Sequence, residues 1–272
     1  MQTEPQAAQR RLPFEAQIKG ALQQADVVNF DETGCYQQGQ RRWLHVASTD
    51  TATYYFAHDQ RGHNAITAAA ILPQFTGIAV HDHGEAYQRY EQCLHSFCNA
   101  HPLRELTHAE EVEKQPWALE CKTLLLDIKK SVDFAKAQGQ THLPPEVQQD
   151  YRQRYRGILQ TAEVTYPKPQ RLPGQRGPLK QAKSKNLLDR LLRYETETLR
   201  FMTDFRVPFT NNQAERDLRM VKVQQKISGC FRSQKGTEAF CRVRGFISTI
   251  KKRRQNVLEA LTQLFLPPLP DG

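Results

Sequence analysis

Over the first hundred residues the apolar positions fall in short runs with strand character, and beyond that they switch to helical spacing. Residues 13–25 form a short amphipathic helical pattern. Three β-branched and aromatic runs follow at 26–31 (DVVNFD), 42–49 (RWLHVAST) and 53–58 (TYYFAH). Gly34, Gly39 and Asp50 supply turn residues between them, so the pattern predicts a three-strand meander. Ala and Ile at helical spacing predict a helix over 62–72, stopped by Pro73. The apolar run 77–82 (GIAVHD) reads as a buried strand, 85–90 as a short helix and 94–98 as a further strand. The order β-β-β-α-β-α-β predicts an α/β fold with a mixed sheet flanked by helices.

From Pro102 the period is helical throughout. Helices are predicted at 110–138 and 145–163, with Leu119, Leu124, Leu125, Ile128 and Val132 as the core stripe of the first. The segment 167–185 holds four Pro, two Gly and six bases with no acid, which predicts a flexible basic loop or an extended connector and not a packed element. A helix resumes at 186–205 and Pro208 breaks it. The last stretch predicts a helix beginning near Asn212, a turn at Ser228–Gly229, and a helix over 237–253. Phe240, Val243, Phe246, Ile247 and Ile250 lie on one side of that helix, and a short helix at 257–265 closes the pattern. The expected division is a helical lead-in (1–25), the first part of the α/β domain (26–102), a helical insertion (103–206), the second part (207–265) and a tail (266–272).

Charge changes this picture because it is concentrated. Of a net +9, residues 206–254 carry 13 Lys/Arg against 3 acids, while the rest of the chain is nearly balanced. A concentrated basic segment is the usual footprint of a polyanionic partner, most often nucleic acid. No apolar run approaches the ~20 residues of a membrane helix, and the Gln-rich N-terminus lacks the apolar centre of a signal peptide. A cytoplasmic protein is expected, with its six scattered cysteines as reduced thiols.

Three acids stand out by position: Asp31 at the end of the first strand-like run, Asp82 at the end of the fourth, and Glu215 in the first turn of the helix near Asn212. Carboxylates from two neighbouring strand ends and an adjacent helix can hold two divalent cations ~4 Å apart for phosphoryl transfer. Mg²⁺ suits such hard oxygen ligands. Each acid also has a plain structural reading. Asp31 and Asp82 precede turn-like sequences, and Asn212 with Glu215 fits a capping box, Asn212 as N-cap.

The strings NFDETG, WLHVAST, GIAVHD, CNAHPLREL and VPFTNNQAERDLRMVKVQQKISGCFRS, continued by GTEAFCRVRGFIST, resemble the insertion sequence 66 family of transposases, from about Phe14 to Phe265. The resemblance implies a ribonuclease-H-like domain of the DDE type, with a helical insertion before the helix that carries the Glu. It puts the acidic triad on Asp31, Asp82 and Glu215 and implies two Mg²⁺ or Mn²⁺ ions. The implied activity is phosphodiester hydrolysis at transposon ends followed by strand transfer into target DNA. The implied setting is a homo-oligomer on DNA, with or without accessory transposition proteins, associated with a bacterial nucleoid. It also implies upstream DNA-recognition regions, so the chain is expected to be a fragment, a truncated reading frame or half of a split enzyme. The rival reading is a catalytically silent, DNA-binding remnant.

Further residues take roles within that frame. Cys98 and His101 resemble the family's C-x-x-H pair and are read as a buried positioning pair ahead of a zinc site, because Cys93, His95, Cys98 and His101, which would suggest zinc, are spaced too tightly for a finger. Asn212 is read as supporting the Glu215 turn. His81 and His83 flank Asp82 and point to the opposite face of the strand. Arg216, Arg219, Lys222 and Lys226 on the Glu215 helix are expected to contact DNA phosphates. So are Arg232 and Lys235, in a flexible turn FRSQKG, and more weakly Lys251, Lys252, Arg253 and Arg254. Where the family carries an aromatic shortly after the second Asp, this chain has Gly84 and Glu85.

Overall fold

A computed structural model of the chain describes residues 12–168 and 180–265. The expected tail, residues 1–11 of the lead-in and 169–179 of the basic connector lie outside the described residues. The chain opens with α1 (Leu12–Gln23), β1 (Val27–Gln37), β2 (Gln40–Ser48), β3 (Thr53–His58), α2 (His63–Ala69), β4 (Ile78–His81), α3 (Glu85–Gln88) and β5 (Leu94–Phe97). Five helices follow: α4 (Ala100–Glu111), α5 (Pro116–Ala137), α6 (Pro145–Thr165), α7 (Lys183–Arg193) and α8 (Glu195–Thr203). The chain ends with α9 (Asn212–Ser228), α10 (Gln234–Lys252) and α11 (Val257–Phe265). Two compact units result: the described parts of Met1–His95 with Asn211–Gly272, and Ser96–Thr210, wider than the expected insertion.

The first unit is built on a mixed five-stranded sheet in the order β3-β2-β1-β4-β5. β1 pairs antiparallel with β2 and parallel with β4. Alternate residues of a strand face opposite sides, and both sides of β1 are used. Val28 and Phe30, with Ala47, Tyr54 and Ala79, pack against Ile18 and Leu22 of α1 and against Ile66, Phe75 and Tyr87. On the other side, Cys35, Leu44, Val46 and Tyr55 pack against Ala214, Leu218 and Val221 of α9 and Cys241 of α10. The i, i+4, i+7 spacing of Ala214, Leu218 and Val221 seats α9 on the sheet, and full burial of a Leu or Val side chain stabilises by about 1.5–3 kcal/mol. The outer strand β3 is held by α10: Thr53 donates its backbone N–H to Thr249 Oγ1 at 3.0 Å, and Lys252 Nζ donates to the Thr49 carbonyl at 2.7 Å.

The second unit is helical. Cys121, Leu124, Leu125, Ile128 and Val132 of α5 are buried there, as are Tyr155 and Leu159 of α6 and Leu187, Leu188 and Leu191 of α7. Tyr155 donates its hydroxyl to the Leu191 carbonyl at 3.0 Å.

Several expected boundaries are corrected. β1 does not stop at Asp31 but runs to Gln37, because β2 is long enough to pair it to the end and Gly34 is a strand residue opposite Trp43. The hairpin turn falls at Gln38 and Gly39, both at positive φ (51° and 78°), as a two-residue hairpin requires. The helix expected over 110–138 is two helices, parted where Lys114 takes φ 55° before Pro116 starts α5. The one over 186–205 breaks at Tyr194 (φ −120°, ψ 41°). Leu119 is 46% exposed, off the core stripe. Residues 183–185, expected in the connector, are helical, and Lys185 is buried against Asp189 at 2.9 Å. The helix expected over 62–72 ends at Ala69 with Ala70 left-handed, and Pro73 sits inside a separate 3₁₀ turn, Leu72–Gln74.

Candidate metal centre

Strand register brings the first two acids together. β1 and β4 pair in parallel as Val27↔Ile78, Val28↔Ala79 and Asn29↔Val80. Asp31 and Asp82 each lie two residues past that last row. Continued, the register sets them level and, by the period of two, on the same side as Asn29 and Val80. That is the side on which α9 packs, and Glu215 follows the buried Ala214 directly. A carboxylate oxygen of Asp82 and one of Glu215 lie within 4.8 Å of each other.

The electrostatics fit a missing positive charge. The Asp31 carboxyl is raised to about 7, first by burial, then by the charge of Asp82, with Glu32 and Glu215 adding to it. Its one opposing influence is the Glu32 N–H, which donates to Asp31 Oδ1 at 2.8 Å. Glu215 Oε1 is buried with no hydrogen-bond partner among the described residues. A buried acceptor of that kind carries a desolvation cost, and a divalent cation would remove it. Hard carboxylate oxygens on two strands and a helix are a donor set suited to such an ion.

The plain structural readings of these acids fare unevenly. At Asp82 the turn is held by its backbone carbonyl, which accepts from the Gly84 N–H at 2.6 Å. At Asp31 there is no turn, since Thr33 and Gly34 continue the strand. The capping box is not formed: α9 starts at Asn212, its N-cap is Asn211, and no side chain caps it. Asn212 is exposed, whereas Asn211 is fully buried. Asn211 accepts from Asn29 Nδ2 at 2.9 Å and donates from Nδ2 to the Phe30 carbonyl at 2.7 Å.

Sequence reasoning missed Asn211 and two other residues. Glu32 faces the opposite side of the sheet from Asp31, where it accepts from Arg61 Nε at 2.7 Å and from the Tyr87 hydroxyl. His81 stacks on Tyr87 with ring centroids 4.6 Å apart and meets His95 at 2.9 Å, on the side away from Asp82 as expected. Burial pushes the His81 imidazole down to about 3, so it stays neutral. Asp217 is a second acid on α9. It takes Lys252 Nζ at 2.7 Å and Gln213 Nε2 at 3.1 Å, and its carbonyl accepts from the Tyr55 hydroxyl at 2.8 Å. No signal in the sequence separates these residues from ordinary surface polars.

Arg216, Arg219, Lys222 and Lys226 on α9 are exposed, as are Arg232 and Lys235. Lys222 Nζ donates to the Gly34 carbonyl at 3.1 Å. The FRSQKG segment is an ordered helix start and not a loose turn, for Ser233 Oγ accepts from the Gly236 N–H at 3.1 Å and caps α10. Of the expected basic patch at 251–254, Lys252 is corrected, since it is engaged by Asp217 and by backbone carbonyls and burial lowers its pKa, whereas Lys251, Arg253 and Arg254 are exposed. Cys98 and His101 belong to the helical unit, where the Cys98 sulfur and a His101 ring nitrogen lie within 4.8 Å of each other. All six cysteines are reduced thiols, and only Cys230 is exposed. No helix of the described residues is long and apolar enough to cross a membrane.

A sequence model described as the Transposase IS66 family matches residues 2–239. No curated protein matches the chain.

Proposed function

The chain belongs to the IS66 family of transposases, and on that premise we propose that its sheet-based unit is a ribonuclease-H-like catalytic domain of the DDE type, acting on DNA. Asp31, Asp82 and Glu215 would hold Mg²⁺ or Mn²⁺, two ions in the working site. The observation that carries this reading is the shared register of Asp31 and Asp82 past the end of β4, with Glu215 against Asp82. When bound, the ions supply charge neutralisation and an activated oxygen nucleophile for in-line displacement at phosphorus.

The chain's own residues supply position and field. β1 and β4 fix the spacing of the two aspartates, and α9 brings Glu215 to them without a flexible tether. Pre-positioned charge of this sort is the main contribution a protein makes to phosphoryl transfer. Arg216, Arg219, Lys222, Lys226, Arg232 and Lys235 would grip phosphates of the transposon end and target, holding the backbone without reading sequence. The reaction so served is hydrolysis at the transposon end and then strand transfer by the freed 3′-hydroxyl. A homo-oligomer spanning two DNA ends would make both cuts available to one joining event.

The test is Mn²⁺- or Mg²⁺-dependent joining of a pre-cut 3′-hydroxyl end by the wild type and by Glu215→Gln. Joining by the wild type that vanishes in the variant supports the assignment. Full joining by Glu215→Gln removes Glu215 from the site. A wild type that binds DNA but joins nothing favours the silent remnant.

A further inference from the structure

We propose that Asn211, rather than its neighbour Asn212, is the positioning residue that sets the Glu215 carboxylate for metal binding, an inference that rests on the reading above. Its side chain is fully buried and spans two elements. Oδ1 accepts from Asn29 Nδ2 at 2.9 Å, and Nδ2 donates to the Phe30 carbonyl at 2.7 Å. Asn29 and Phe30 are the two residues before Asp31. Its own backbone carbonyl accepts the Glu215 N–H at 3.2 Å, closing the first turn of α9. One residue therefore ties the turn bearing Glu215 to the strand bearing Asp31.

The location explains why an amide is needed. Asn29↔Val80 is the last paired row of β1 and β4. Past it the Phe30 carbonyl goes to the Asn211 amide, which stands where a further strand rung would be. The strands are thereby released to present the Asp31 and Asp82 carboxylates side by side, and a buried carbonyl is still satisfied. An amide donates to Phe30 and accepts from Asn29 with one rigid group. Both contacts are buried, so removing the amide leaves the Asn29 donor and the Phe30 carbonyl without it and lets the first turn of α9 shift. Residues that orient metal ligands in this way change metal affinity by about 10–100-fold when replaced.

The experiment is a double-mutant cycle on the full chain with Mn²⁺ as the probe, its binding read by the loss of the free-ion electron paramagnetic resonance signal. Asn211→Leu keeps the side-chain volume and removes the amide; Glu215→Gln removes the ligand charge. The expected result is a loss of Mn²⁺ affinity of about tenfold or more in Asn211→Leu, with less than about a twofold further loss when it is added to Glu215→Gln, because both act through one carboxylate. Wild-type Mn²⁺ affinity in a folded Asn211→Leu, or an equal loss in both backgrounds, overturns the inference and leaves Asn211 a purely structural residue. Where Asn211→Leu does not fold, the same cycle is run with Asn29→Ala, which removes one of the two bonds, and the same two outcomes decide. Unchanged Mn²⁺ binding in Glu215→Gln alone refutes the metal reading itself, and the inference with it.

Discussion

Replacing Asp31 with Asn should stabilise the metal-free protein by an amount that grows from about pH 4 and is complete above about pH 7. Folded Asp31 takes up its proton at about 7 instead of the ordinary 3.8, so the folded state binds that proton more tightly than the unfolded chain and acid favours folding. The contribution is fully present below about pH 4 and is lost as pH rises through about 7. By pH 8 the ionised carboxylate costs the metal-free fold up to about 4 kcal/mol, at 1.36 kcal/mol per pH unit. Asp31 is partly exposed, and solvent screening brings the expected cost to about 2 kcal/mol. The substituted amide would carry no charge, yet its oxygen can still accept the Glu32 N–H that Asp31 Oδ1 takes at 2.8 Å. The assay is urea unfolding in a chelator at pH 5 and pH 8, followed by Trp43 emission in a Trp117→Phe background so that the sheet-based unit alone is read. Asp31→Asn should gain about 2 kcal/mol at pH 8 and less than half of that at pH 5. Excess Mn²⁺ should reverse the order at pH 8, since only the wild type gains strongly from binding. A variant less stable than wild type in the chelator at pH 8, or a gain that does not change with pH, would refute the idea that burial and the neighbouring acids disfavour the Asp31 carboxylate.

Other outcomes follow from the same structure. Asp217→Asn leaves Lys252, 12% exposed, buried without its counter-charge and should cost about 3 kcal/mol in denaturant unfolding; a change below about 0.5 kcal/mol would show the pair to be idle. Replacing Arg219, Lys222 and Lys226 together with Ala should flatten the slope of log affinity against log salt for duplex DNA by about 2–3, near 0.9 per phosphate contact; an unchanged slope would place DNA elsewhere. A thiol reagent should find one fast site in the native protein, Cys230, and all six thiols after unfolding, and more than one fast thiol would contradict the burial of the others.

The elements that were legible in the sequence are those whose pattern is local. The three-strand meander, the buried strand just before Asp82 and the closing helices follow from alternation, apolar runs and turn residues. Boundaries failed where a partner decided them. Gly34 signals a turn in isolation, yet β2 is long enough to hold it in a strand. Lys114 and Tyr194 break helices through backbone angles that their residue types do not announce. Of the three acids, Asp82 and Glu215 lie where the pattern puts a strand end and a helix start, whereas Asp31 was named from a strand end that is absent, since β1 runs on to Gln37. The Asn pair shows the limit: adjacent identical residues differ in that one is buried and one exposed, which only the packing of α9 on β1 decides. Lys252 was misjudged for a like reason, since a helix-end lysine reads as solvent-facing until Asp217 is seen beside it.

The pairing of β1 with β4 also bears on where this chain can tolerate insertions. Both acids stand an even number of residues, two, beyond the last paired row. A residue gained between α2 and β4 only lengthens a connection. A residue gained between Val80 and Asp82 makes that count odd and turns the carboxylate to the side where His81 and Tyr87 pack. On the proposed assignment of the two acids, the connections of this fold can vary in length freely, but the strands can change length only in pairs.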